Sequence, residues 1–199
     1  MAHSRLRKRF APLLACLFLL ALGVAWFEYG SLLRQRWRPD EDAYDEIIRE
    51  AAGRHGISPY LVKAVIKQES NFNPLAVGAA GERGLMQIMD GAVQDWEQGT
   101  GRRCLHRGQL FSPRLNIEVG TWYLARALRR WHEYRDREAL ALAEYNAGPS
   151  RARAWAPEDR NADLLPLVAF PGTRDYIVKI LTYKAEFESR DQSARNFEP

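Results

Sequence analysis

The sequence predicts a mainly α-helical, single globular domain that follows an N-terminal transmembrane helix, and three observations carry that reading. Apolar residues recur at three- and four-residue intervals, as in Leu61, Val62, Val65, Ile66 and again in Tyr176, Ile177, Ile180, Leu181, Tyr183. An uncharged run of 18 residues, 10–27, follows the basic cluster Arg5, Arg7, Lys8, Arg9. A chain of 199 residues that is 46% hydrophobic and 27% charged holds enough apolar surface for one compact core with appendages.

The formal charge of +4 is unevenly placed. Seven of the 29 basic residues but only one of the 25 acidic ones precede residue 39, which leaves 22 against 24 in the remainder. The domain itself is therefore close to neutral, and nothing in its charge points to a nucleic acid. At about 1.5 Å per residue the 10–27 run nearly spans a bilayer core. Its basic flank belongs on the cytoplasmic side, and the chain beyond the run is exported. A cleaved signal peptide could end at Gly23-Val24-Ala25. The length of the run and the aromatics Trp26, Phe27 and Tyr29 at its far edge favour an uncleaved anchor. A lipoprotein reading at Cys16 suffers because the apolar stretch continues well past it. Residues 1–38 are thus read as basic tip, anchor or signal and short linker, 39–190 as the domain, and 191–199 as a frayed tail.

In chain order, residues 40–55 read as a helix with acids in the first turn, closed by Gly53 and Gly56. Ser58 caps and Pro59 opens the next, which should end between Asn71 and Pro74. Asp90 is expected to cap a short helix through Trp96. Ser112-Pro113 starts a helix apolar on most sides, which belongs at the centre of an all-α core and makes Trp122 and Tyr123 core residues. Arg126, Arg129, Arg130 and Arg135 are assigned to its solvated face. A short helix over 138–146 ends at Gly148-Pro149, 150–155 forms another turn, and 156–169 is a loop. A last amphipathic helix over 173–189 buries Tyr176. Cys16 and Cys104 suggest no disulfide, and His3, His55, His106 and His132 show no metal-ligand spacing, so neither metal nor cofactor is expected.

Glu69 is the residue with a chemical signature. It lies four residues beyond Val65 and three beyond Ile66, at the edge of the apolar face and near the C-terminal end of its helix. Burial and the negative end of the helix dipole would both raise its pKa, as a general acid near neutrality requires. The ordinary alternative is a solvent-facing glutamate paired with Lys63 or Lys67. Gly78, Gly81 and Gly84, three residues apart, suit a loop whose backbone approaches a ligand.

Three blocks then stand in order: Glu69-Ser70-Asn71-Phe72-Asn73-Pro74 running on to Gly84-Leu85-Met86-Gln87-Ile88-Met89, then Tyr145-Asn146-Ala147-Gly148-Pro149, then Pro171-Gly172-Thr173-Arg174-Asp175-Tyr176. Together they resemble the soluble lytic transglycosylase (SLT) family, lysozyme-like enzymes that cut bacterial peptidoglycan, over residues 43–188. The chain departs from the family pattern where Asp90 stands for a frequent proline and in lacking a frequent serine near Gly78. The resemblance implies a goose-type-lysozyme-like fold, and the 10–27 run, read as an anchor, would tether that domain to the periplasmic face of the bacterial inner membrane. The resemblance also implies Glu69 as the catalytic acid and base, with no cofactor. Tyr145 would face Glu69 across the cleft, with Asn146, Gln87 and Met89 as further substrate contacts; Ser70 and Asn73 would hold the local backbone in shape. Peptidoglycan glycan strands are the partner that the resemblance implies, and the 10–27 run adds the membrane. A lysozyme-type hydrolase using Glu82 or Glu144 as second carboxylate stays open, as does a non-catalytic peptidoglycan-binding scaffold of an envelope complex.

Overall fold

The computed structural model describes residues 40–104 and 106–196. The 10–27 run lies outside them, and among the described residues no helix is long and apolar enough to cross a membrane. Seven α-helices stand there: α1 (Asp45–His55), α2 (Pro59–Ser70), α3 (Asp90–Thr100), α4 (Pro113–Arg130), α5 (Arg137–Ala147), α6 (Pro149–Trp155) and α7 (Pro171–Asn196), with 3-10 turns at Arg107–Phe111 and Leu165–Leu167. No strand forms among these residues. Two isolated antiparallel bridges, Val77 to Arg83 and Arg83 to Ile88, fold the glycine segment onto itself.

The start of α2 follows its local chemistry: Ser58 is extended, its Oγ accepts from the Leu61 N–H at 3.4 Å, and Pro59 occupies the first turn where its missing N–H costs nothing. Burial of α2 is wider than one stripe, since Leu61, Val62, Ala64, Val65 and Ile66 are all fully buried. Lys63, also buried, reaches Asp42 and Asp45 at 2.7 Å each, and Lys67 reaches Glu41 at 2.8 Å. Neither lysine is therefore spent on Glu69. The helix packs chiefly against α7 and also against α1. At the centre α4 touches α1, α3 and α5, as its apolar circumference requires.

Several boundaries differ from expectation for identifiable reasons. Met89 rather than Asp90 is the N-cap of α3, which runs on to Thr100, and the Asp90 carboxylate instead takes Arg83 at 2.9 Å and Arg107 at 3.0 Å. Pro149 opens α6 rather than merely ending α5, a position where proline fits. The final helix passes through the expected tail to Asn196, where the Tyr60 hydroxyl donates to Asp191 at 2.5 Å and Arg195 pairs with the same carboxylate.

Of the α4 arginines, Arg129 is exposed as expected, but Arg126 and Arg130 have partners. Arg126 pairs with Asp95 at 2.7 Å and lies over the rings of Trp122 and Tyr123, both only half-buried. Arg135, beyond the helix, pairs with Asp136 and Asp163. Arg130 meets Glu144 at 2.5 Å; that carboxylate is fully buried, and the Trp131 indole N–H donates to its other oxygen at 2.9 Å. His55 is also committed, meeting the buried Glu118 at 3.1 Å beside Arg54. Removing one partner of a buried ion pair strands the other charge, so Arg130→Met should destabilise by about 3 kcal/mol in urea unfolding, whereas Arg130→Met with Glu144→Leu should recover most of that loss.

Candidate active site

Glu69 stands one residue before the end of α2, and the chain turns away sharply through Asn71 and Phe72, both at positive φ (48° and 62°). Such backbone is uncommon outside glycine and needs support. The support is the Phe72 ring in the core, the Ser70 hydroxyl donating to Ile66 O at 3.2 Å, and the Leu75 N–H donating to Asn73 Oδ1 at 3.0 Å. Ser70 and Asn73 thus hold the local backbone, as expected.

Glu69 as a residue is half-buried, its carboxyl lies at the buried end, and the Tyr176 hydroxyl donates to Oε1 at 2.5 Å. Burial pushes its pKa from 4.5 to about 7, against the Tyr176 hydrogen bond, which favours the ionised form, and with help from the negative charge of Glu82. Burial and the Glu69 charge hold Tyr176 and Tyr145 well above the usual tyrosine range, so both remain hydroxyl donors. Tyr176 is the site residue that sequence reasoning assigned only to the core. It is both buried and bonded to the acid, and its signal was the third motif block, which ends on it.

Tyr145 lies close enough to Glu69 to feel its charge, and its hydroxyl is engaged by the backbone of the glycine segment. It donates to Met86 O at 2.8 Å, and its ring sits edge-to-face on Tyr123 at 5.8 Å. The Met86 backbone is held from α4 as well, where the buried Asn116 accepts from Met86 N at 2.7 Å and donates to Arg83 O and Leu110 O at 2.8 Å each. Only glycine fits at 84: φ is +76°, and a Cβ there would lie 2.4 Å from Asn116 Nδ2 and from Leu110 O. Gln87, at φ 48°, turns its amide N–H groups into the loop, towards Ala76 O at 3.2 Å and Gly84 O at 2.9 Å, rather than outward. Met89 is exposed at the end of the same loop.

Asn146 is exposed and accepts from the Thr173 hydroxyl at 2.8 Å. With Gln68, Phe170, Gly172, Asp175, Tyr176 and Lys179 these two line an open pocket of about 540 Å³ on the flank of the Glu69–Tyr176 pair. Of the two spare carboxylates, Glu144 is consumed by Arg130 and Trp131. Glu82 stays near the acid, and its Oε2 accepts from Ala80 N at 2.9 Å. Among the described residues no cluster of His, Cys, Asp and Glu could hold a metal ion.

A carboxyl of raised pKa at the end of a buried helix, held by a tyrosine from a distant helix, places the chain among helical domains built around one such carboxyl. Within that class the chain belongs to the Transglycosylase SLT domain family, which it matches over residues 46–165. It is 31% identical over 150 residues to the soluble lytic murein transglycosylase of Salmonella typhimurium, covering 73% of this chain and 23% of that protein. It is 39% identical over 88 residues to the membrane-bound lytic murein transglycosylase C of Edwardsiella ictaluri, covering 41% and 23%. Its fold is similar to an inactive glutamate-to-glutamine mutant of the lytic transglycosylase Slt of Pseudomonas aeruginosa, with a TM-score of 0.68 and 26% identity over 87% of this chain and 29% of that one. The chain thus spans about a quarter of the length of these relatives.

A group whose folded pKa is raised binds more protons folded than unfolded, here between pH 4.5 and about 7, so its contribution to stability is lost as pH rises through that window. Glu69→Gln, which carries no charge at any pH, should match the parent near pH 4 and exceed it by about 2–3 kcal/mol at pH 8 in denaturant titrations.

Proposed function

We propose that this protein is a peptidoglycan lytic transglycosylase that cleaves the bond between N-acetylmuramic acid and N-acetylglucosamine and leaves 1,6-anhydro-muramyl ends. The observation that carries the reading is the Glu69 carboxyl, whose pKa of about 7 lets one group give a proton and take one back at neutral pH. Membership of the SLT family supports it, as does the inactive glutamate-to-glutamine mutant of the similar Slt enzyme.

In this mechanism protonated Glu69 donates to the glycosidic oxygen as that bond breaks, and the 2-acetamido group of the muramyl sugar stabilises the developing positive charge. Glu69, now ionised, takes the proton of the sugar's own 6-hydroxyl as its oxygen bonds to C1, so no water enters. Effective molarities of about 10⁵ M or more for such intramolecular groups allow it to outrun water without a second base. The Tyr176 hydrogen bond favours the carboxylate that exists between the two transfers. Gln87 through its carbonyl oxygen, Met89 through its exposed side chain, and Asn146 at the mouth of the lateral pocket are the substrate contacts, while Tyr145 contributes by fixing the Met86 carbonyl.

Glu82 favours one second reading, a hydrolase of the same bond, because it is a carboxylate close enough to act on Glu69 electrostatically. The full chain in detergent, incubated with purified cell-wall glycan, should release anhydro-muramyl products lighter by one water than the reducing sugars a hydrolase would give. Glu69→Gln should lower turnover at least about a hundredfold, the size of a lost acid–base contribution. Anchoring through residues 10–27 puts the domain on the periplasmic face of the inner membrane; fractionation should find the chain in the membrane fraction, and a soluble periplasmic form would reverse that assignment.

A further inference from the structure

Away from Glu69, the beginning of α1, the beginning of α2 and the far end of α7 enclose a cavity of about 520 Å³, a size suited to a small molecule. Its floor is apolar, since the buried Ile48 and Phe187 line it together with Pro59. Its charges fall into two groups, each built on one residue of α2. At Lys63 a single buried ammonium serves two carboxylates, Asp42 and Asp45, at 2.7 Å each. Asp45 Oδ1 is buried with no hydrogen bond of its own, and the Asp42 side chain is open to solvent. At Tyr60 the balance is reversed. Its hydroxyl donates to Asp191 at 2.5 Å, and that one carboxylate stands opposite two guanidiniums. Arg195 pairs with it; Arg49 lines the same cavity and, among the described residues, has no acid within ion-pair distance. Glu41, the remaining acid of the rim, is taken by Arg190 at 3.1 Å and Lys67 at 2.8 Å.

We propose that this cavity binds a short zwitterionic peptide, two residues long with an apolar side chain: its ammonium at Asp42 and Asp45, its carboxylate at Arg49 and Arg195, its side chain over Ile48 and Phe187. A surplus carboxylate at one end and a surplus guanidinium at the other match a ligand with one charge of each sign. A ligand of a single sign meets repulsion at the opposite end. Length selects among zwitterions. Tyr60 and Lys63 are three residues apart on α2, so the two charged ends are offset by about 4.5 Å along the helix, and their side chains widen the span. A free amino acid carries both charges on one carbon and falls short, whereas two extended residues reach about 7 Å. The carboxylate end is the better defined, because an unspent guanidinium offers a planar, two-pronged contact. None of these residues belongs to the Glu69 site, so the binding stands or falls apart from the transglycosylase reading.

Calorimetric titration of the full chain in detergent with leucyl-alanine tests this. N-acetyl-leucyl-alanine lacks the ammonium and leucyl-alanine amide lacks the carboxylate; each should bind at least about tenfold more weakly than the free dipeptide, the size of a lost charge-assisted hydrogen bond. Arg49→Gln should weaken the free dipeptide by a similar factor and leave the amide unaffected. Asp42→Asn should weaken the free dipeptide and leave the acetylated form unaffected. Both positions are exposed and Lys63 retains Asp45, so the variants should keep the parent's urea unfolding midpoint. A shift of the Ile48 methyl signal in NMR should place the ligand in the cavity. The proposal is overturned if leucyl-alanine leaves that signal unmoved at millimolar concentration, if the capped forms bind as well as the free one, or if Arg49→Gln weakens dipeptide and amide alike.

Discussion

Removing one carboxyl from water is the constraint on which the rest of the architecture depends. A glutamate at the end of a surface helix would ionise near pH 4.5 and be useless as an acid at neutrality. Glu69 escapes that fate because α2 is apolar on nearly its whole circumference over 61–66 and is walled by α7 along its length. The same burial penalises the folded state at neutral pH, and the fold tolerates the penalty because it is local and small beside the area buried by the core.

Three chain segments far apart in sequence have to meet for this to work, and each meeting is made by a different force. Tyr176 arrives with the packing of α7 on α2, a contact between helices about a hundred residues apart. Tyr145 arrives on α5 and is tied by its hydroxyl to a main-chain carbonyl. The glycine loop is held through backbone: Met86 is held by Asn116 at its N–H and by Tyr145 at its carbonyl, while the Met86 side chain fills the place left by Gly120, where a Cβ would be 2.4 Å from its sulfur. Asn116 suits that position because its amide offers one acceptor and two donors and all three are used, which neither aspartate nor leucine could do.

What could be read from the sequence alone was what depends on short-range chemistry. Ser58-Pro59, the spacing of Leu61 to Ile66, the apolar circumference of α4 and the placement of Glu69 on a buried edge all follow from local rules. What escaped was partnership over long range. Glu144 looked like a spare carboxylate and Arg130 like a solvated cation, yet they neutralise each other across the α4–α5 packing; only the tertiary contact reveals it. Tyr176 was correctly placed on a buried face, but periodicity reports burial and is silent about which polar atom a buried hydroxyl will find. Tyr145 shows the converse, since a motif can mark a tyrosine as belonging to a site without saying that its partner is a carbonyl 59 residues away.

A single group that acts as acid and then as base, as proposed for Glu69, cannot have an extreme pKa. Raised far above neutrality it would hold its proton and fail to donate; left at its ordinary value it would have none to give. The opposing influences on Glu69 are arranged to avoid both ends. Burial and the Glu82 charge favour the protonated form with which the proposed reaction begins, while the Tyr176 hydroxyl favours the carboxylate with which it would end. Each comes from a separate element, α2 with its neighbours, the glycine loop and α7, so each can change without dismantling the others. A value of about 7 is then the balance of three independently placed contributions, and the fold serves mainly to keep them at a fixed distance from one carboxyl.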